Sequence, residues 1–200
     1  LYTDQARIIP YFAEVAGQVD IPLMVQDLQF SGPGMNIEVI ETLCSVVETV
    51  RYLKVETAPA GPKYTAVLAA TDGKIHVSGG WAVSQMIEAL DRGVHAMIPE
   101  SSMVRIYRCI DRLHRSGQRN AAVELFQRLT PVLAFTNQEL DVSIRFFKRL
   151  LVRKGIFRTA VCRLNSPDFD PYQQRITDEL IDYILEIEDE IRLLQTVKCE

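Results

Sequence analysis

Short apolar runs of strand length alternate along the chain with stretches in which apolar residues recur every three or four positions. Ile21-Pro22-Leu23-Met24-Val25 is the first run. A Gly/Pro-rich turn, Ser31-Gly32-Pro33-Gly34, leads into a helix from about Asn36, with Ile37, Ile40, Leu43 and Val47 on one face. Val50 to Val55 reads as a second strand and Gly61 to Ala70 as a helix. Asp72-Gly73 turns into a third strand, Lys74 to Val77. After Gly79-Gly80 comes a helix with Val83, Ile87 and Leu90 inward, and Val94 to Ile98 is a fourth short strand. Repetition of this kind predicts parallel strands joined by crossover helices.

Beyond Pro99 the pattern is wholly helical. Met103, Ile106, Ile110 and Leu113 share a face, with Gly117 at the C-cap. Ala122, Leu125, Phe126, Leu129 and Leu133 form the next stripe. Thr136 and Glu139 fit a capping box, opening a helix with Leu140, Ile144, Phe147 and Leu151 that Gly155 ends. A last helix starts at Asp170-Pro171, and its acidic run Glu186 to Glu190 reads as a solvated face. The fold expected is α/β: the C-terminal half of a (β/α)8 barrel over residues 1–116, then a helical extension over 117–200. A complete barrel takes about 250 residues. The first residues read as a helix that precedes a strand, so the chain is expected to begin in mid-barrel, as a piece of a longer protein. A doubly wound open sheet is the alternative, although no G-x-G-x-x-G turn follows a strand.

Composition narrows the function classes. The 200 residues are 48% hydrophobic and 24% charged, enough of each for a core and a solvated surface. A net charge of −4 without a basic cluster argues against a nucleic-acid partner. No apolar run reaches the ~18 residues of a membrane span, and the N-terminus lacks the layout of a secretory signal. Cys44, Cys109, Cys162 and Cys199 are far apart, which predicts free thiols in a reducing cytoplasm. His76, His95 and His114 share neither a helix face nor a ligand spacing, so neither metal nor cofactor is expected.

Lys54 is the residue with chemical promise. It lies near the C-terminal end of the second strand, the end at which barrel enzymes carry their catalytic groups. Alternation sets Tyr52, Lys54 and Glu56 on one side, Leu53 and Val55 on the other. With Leu53 and Val55 against the helices, Lys54 points into the barrel. An apolar interior strips water from the ammonium and favours the neutral amine, which attacks carbonyls and forms Schiff bases. The plainer alternative is a strand-end lysine that reaches solvent.

Several short motifs in order then resemble one family. Tyr11-Phe12-Ala13-Glu14-Val15-Ala16 leads to Asp20-Ile21-Pro22-Leu23-Met24; Tyr52-Leu53-Lys54-Val55-Glu56, Val77-Ser78-Gly79-Gly80 and Arg92-Gly93-Val94-His95-Ala96-Met97-Ile98 follow, then Phe147-Lys148 and Lys154-Gly155-Ile156 in the tail. Together they resemble the dihydrodipicolinate synthase / N-acetylneuraminate lyase family of pyruvate-type class I aldolases. The resemblance implies that Lys54 forms the imine with a 2-oxo acid, such as pyruvate or a 2-keto-3-deoxy sugar acid. The activity implied is a lyase, aldolase or dehydratase, in a homo-oligomer (dimer or tetramer) without cofactor.

Two positions depart from the family pattern. Gln26 stands where the family has a tyrosine proton shuttle, and a carboxamide cannot act as general acid or base. Ser31 stands where dihydrodipicolinate-forming members place an arginine, which argues against that activity. Asp27 and Glu56 are candidates for the missing acid/base or for binding a hydroxyl. Ser78, Gly79 and Gly80 are expected to let substrate approach the backbone, and Ile98 ends the last strand beside them. Trp81 reads equally as a pocket wall or as core. The small hydroxyl residues that hold the family's substrate carboxylate come from an earlier strand that this chain does not contain. A non-catalytic or regulatory member that binds a 2-oxo acid is the alternative function.

Overall fold

The computed structural model describes residues 4–29, 31–80, 83–163 and 168–197. The chain divides into two compact units, Leu1–Ile98 and Pro99–Glu200. The helix at Val104–Arg115, which the sequence reading grouped with the barrel, lies in the second unit.

Four parallel strands form one sheet in the first unit: β1 (Leu23–Gln29), β2 (Val50–Thr57), β3 (His76–Gly79) and β4 (Ala96–Met97). They lie in chain order, β1-β2-β3-β4. Four helices alternate with them: α1 (Ile8–Ala16), α2 (Ile37–Val46), α3 (Gly61–Ala70) and α4 (Met86–Asp91). A doubly wound sheet reverses its strand order at a switch point; this one advances by one strand each time, as a barrel does.

The strands differ in extent from the sequence expectation. Pro22 has no N–H for the ladder and Ile21 is 65% exposed, so β1 begins at Leu23, whose N–H donates to the Thr49 carbonyl at 2.7 Å. It continues through Gln26 and Asp27, which therefore stand in mid-strand. β2 extends to Thr57 and β3 shifts to His76–Gly79. One face of the sheet is the core: Val25, Leu53, Val55 and Val77 are buried with Ile40 and Leu43 of α2 and Tyr64 and Val67 of α3. Each such large side chain contributes about 1.5–3 kcal/mol by leaving water.

The second unit is helical: α5 (Val104–Arg115), α6 (Arg119–Arg128), α7 (Thr130–Thr136), α8 (Leu140–Arg153) and α9 (Pro171–Val197). Gly117 closes α5 at φ 81° and Gly155 closes α8 at φ 70°, the left-handed conformation that glycine adopts without strain. The stripe from Ala122 to Leu133 is not one helix; it divides after Arg128, with Pro131 in the first turn of α7.

Two expectations about α8 and α9 are corrected. The capping box does not form at Thr136 and Glu139: Thr136 ends α7 and its hydroxyl donates to the Val132 carbonyl at 2.9 Å. The reciprocal cap is at α9, where the Gln173 N–H donates to Asp170 Oδ1 (2.8 Å) and the Asp170 N–H to Gln173 Oε1 (3.1 Å). Nor is the acidic run simply solvated. Glu188 is buried with its carboxylate 2.7 Å from Lys154 Nζ, and the Arg128 guanidinium beside Glu190 holds that carboxyl below its ordinary range. Asp178 and Asp182 of α9 pair likewise with Arg149 and Arg153 of α8.

Candidate functional site

Parallel pairing brings three side chains level. Gln26 of β1 stands opposite Lys54 of β2, and Lys54 opposite Ser78 of β3. Each is one residue from a core position (Val25, Leu53, Val55, Val77), so all three project from the other, inner face. Glu56, two residues beyond Lys54, is on that face as well. Lys54 Nζ lies 3.1 Å from Glu56 Oε1, the two side chains being 19% and 10% exposed. Gln26 Nε2 donates to Glu56 Oε2. The carboxylate thus bridges an amine and a carboxamide. The apolar surroundings expected for Lys54 are corrected here: its nitrogen faces a carboxylate.

Gly80 makes room for that carboxylate. A Cβ at this position would stand 2.1 Å from Glu56 Oε1, so any larger residue displaces the acid. Ser78 is buried, its hydroxyl 3.4 Å from His76 Nδ1. The His76 ring stacks between Tyr52 and His95, with centroids 5.5 and 4.8 Å away. His95 Nδ1 accepts the Val77 N–H at 3.0 Å, which leaves the proton of the neutral ring on Nε2. Ile98 follows β4 on the alternation of Ala96, and its N–H donates to the Gly79 carbonyl at 2.9 Å.

Asp27 and Gly79 are not brought to Lys54. Both are one residue out of step with the inner row, so both face the helices. A Cβ on Gly79 would meet the Met97 side chain and the Tyr64 hydroxyl at 2.7 Å. Burial, with Glu56 and Glu88 nearby, pushes the Tyr64 hydroxyl up to about 12. Asp27 is fully buried; its Oδ2 lies 2.5 Å from Lys63 Nζ on α3, and its Oδ1 accepts the Met35 N–H at 2.9 Å. Sequence reading missed Lys63. The one local signal is a lysine between Pro62 and Tyr64 in the first turn of a helix, and its partner is remote in sequence.

A cavity of about 620 Å3 lies between the segment after β1 and the first turn of α3, with Pro33, Asn36, Pro59, Pro62 and Lys63 among its walls. Gln26, Lys54 and Glu56 do not line it, so the amine–carboxylate group is a surface of the inner sheet face. Trp81 and Cys199 lie outside the described residues; Cys44, Cys109 and Cys162 are free thiols. Among the described residues no three His, Cys, Asp or Glu are grouped to hold a metal ion, and no helix is long and apolar enough to cross a membrane.

The grouping can bond covalently through an amine, carry a proton on a carboxylate, and orient a ligand with a carboxamide. No protein-family model matches the chain. An L-2-keto-3-deoxyarabonate dehydratase from Azospirillum brasilense is 24% identical over 170 residues, which are 84% of this chain and 54% of that protein. Among solved structures, a dihydrodipicolinate synthase from Rhodopseudomonas palustris superposes with a TM-score of 0.78 at 18% identity, covering 92% of this chain and 62% of its own. An N-acetylneuraminate lyase from Fusobacterium nucleatum gives 0.73 at 15% identity, covering 94% and 61%. The chain spans about half the length of the curated relative and three-fifths of these structures. The structural likeness establishes the fold as the strand–helix architecture of a (β/α)8 barrel with its C-terminal helices.

Proposed function

We propose that the chain is a divergent member of the dihydrodipicolinate synthase / N-acetylneuraminate lyase family and that the full protein is a Schiff-base-forming lyase. Its substrate class is a 2-oxo acid, and the name of the curated relative favours dehydration of a 2-keto-3-deoxy sugar acid. The observation that carries this reading is Lys54 on the inner face near the end of β2, its amine 3.1 Å from Glu56.

Lys54 Nζ attacks C2 of the substrate once Glu56 has taken a proton from the ammonium. Glu56 returns that proton as the carbinolamine loses water, which restores the carboxylate and leaves an iminium ion that withdraws electrons from C3. Glu56 then removes a C3 proton and returns it to the C4 hydroxyl, which departs as water while the electron pair closes the C3–C4 double bond. Hydrolysis of the imine frees the product and the lysine. Gln26 holds Glu56 through its second oxygen, a positioning task that needs no titration. Ser78, level with Lys54, supplies a hydroxyl. Without the arginine of the dihydrodipicolinate-forming members, Ser31 suits a substrate whose far end is uncharged. A cytoplasmic homo-oligomer, dimer or tetramer, accompanies this reading on the same family resemblance.

The test is to incubate full-length protein with pyruvate and borohydride and to map the adduct by mass spectrometry. A reduced adduct on Lys54 is expected; unmodified lysine under conditions that trap an authentic aldolase overturns the proposal. Gln26 at the tyrosine position favours a second reading, a binding protein without turnover. Activity that survives Gln26→Ala and is lost in Lys54→Ala excludes it.

A further inference from the structure

The segment that follows β1 is Ser31-Gly32-Pro33-Gly34-Met35. It is pinned by Lys63. From one ammonium, Lys63 reaches Asp27 Oδ2 (2.5 Å), the Met35 carbonyl (2.7 Å) and the Pro33 carbonyl. Asp27 returns a bond to the Met35 N–H through Oδ1. Gly34 lies at φ 72°, and a Cβ there would sit 2.3 Å from Asp27 Oδ1 and 2.6 Å from the Thr57 methyl. Thr57 directly follows Glu56 on β2 and pairs with Gln29 on β1. The pinned segment therefore rests against the helix-facing side of the strand ends, one residue beyond the acid on β2. A lysine and an aspartate that are 8% and 0% exposed are costly to bury unless each satisfies the other, and here they also tie down backbone that no helix or ladder holds.

We propose that the Asp27–Lys63 pair is a positioning device: it fixes residues 31–35 over the strand ends and so sets which 2-oxo acids fit by their length. The inference rests on Lys54 as the imine-forming residue. A substrate joined at C2 to Lys54 extends its remaining carbons out of the C-terminal end of the sheet, where the segments after β1 and β2 begin. Pyruvate, with three carbons, ends short of them. A five- or six-carbon acid does not.

Two variants of the full-length protein test this. Lys63→Met removes the pin and leaves Asp27 charged; Asp27→Asn with Lys63→Met removes both charges yet keeps an oxygen for the Met35 N–H, which guards against simple unfolding. Three quantities are read: hydrogen exchange of the Gly34 and Met35 amides, borohydride trapping with pyruvate, and kcat and KM for a five-carbon 2-keto-3-deoxy sugar acid. Expected are amide exchange faster by about tenfold or more, an unchanged pyruvate adduct, and a five-carbon KM raised by about tenfold or more with kcat nearly held. Unchanged exchange in the double variant overturns the proposal. So does a loss that falls equally on pyruvate and on the longer acid. Wild-type protein that forms no adduct overturns the reading of Lys54 and with it the length rule, and the exchange rates then decide the pin alone.

Discussion

The two faces of the sheet each carry a lysine–carboxylate pair, built for opposite ends. On the inner face, Lys54 and Glu56 project from the same strand and retain some exposure, and the acid accepts a further bond from the Gln26 carboxamide. On the outer face, Lys63 and Asp27 come from different elements, are sealed from water, and spend every remaining bond on backbone carbonyls and an N–H. A nucleophile must exchange its partner for a substrate, so its ion pair has to open. A clamp must not. Burial and the number of fixed partners, rather than residue type, separate the two proposed roles.

The sharpest break of this comparison is to exchange the lysines' fates. Lys54→Ala should abolish the pyruvate adduct and lower turnover by on the order of 10³-fold or more, while Lys63→Met leaves the adduct on Lys54. An adduct that moves to another lysine would refute the distinction. Stability should respond the opposite way. Lys63→Met leaves a buried carboxylate alone and should cost about 3–5 kcal/mol in urea unfolding, whereas the matched Asp27→Leu, Lys63→Met pair should recover most of it. Glu56→Gln keeps a bond partner for Gln26 but cannot take up or return a proton, so kcat should fall by roughly 10²–10⁴-fold and the pyruvate adduct should form more slowly on Lys54. At the small end, Arg149→Ala in the helical unit opens an exposed pair with Asp178 and should shift stability by less than about 1 kcal/mol, an effect that added salt erases. A thiol probe sharpens the burial side: desolvation pushes Cys44 up to about 11, so it should alkylate more slowly at pH 8 than the other free cysteines, measured by mass spectrometry.

Much of the fold was legible because periodicity reports which face is buried. Val25, Leu53 and Val55 mark the helix-facing side without any knowledge of partners, and the same alternation placed Lys54 and Glu56 together. Where expectations moved, the deciding term was not periodic. Pro22 delayed β1 through a missing donor. Thr136 and Glu139 fit the spacing of a cap, yet the Thr136 hydroxyl had a nearer acceptor within its own helix. Asp27 looked like a neighbour of the site because sequence adjacency to Gln26 ignores that consecutive strand residues face apart. Lys63 was silent because its ion pair is made by a crossover connection, and nothing local in Gly61-Pro62-Lys63 encodes the carboxylate waiting on β1.

The acids of α9 carry a consequence for how that helix is seated. Asp178, Asp182, Glu186 and Glu190 recur every fourth residue, and two of them meet Arg149 and Arg153, also four apart. Sliding α9 by one turn so that Glu186 reaches Arg153 would hand both arginines the next acid, so these two exposed pairs cannot tell the correct seating from that slip. The buried Lys154–Glu188 contact can: a one-turn slip would set Ile184 or Arg192 against that ammonium in a dry environment. One concealed bond thereby does the vernier reading for a helix that its outer charges would let drift.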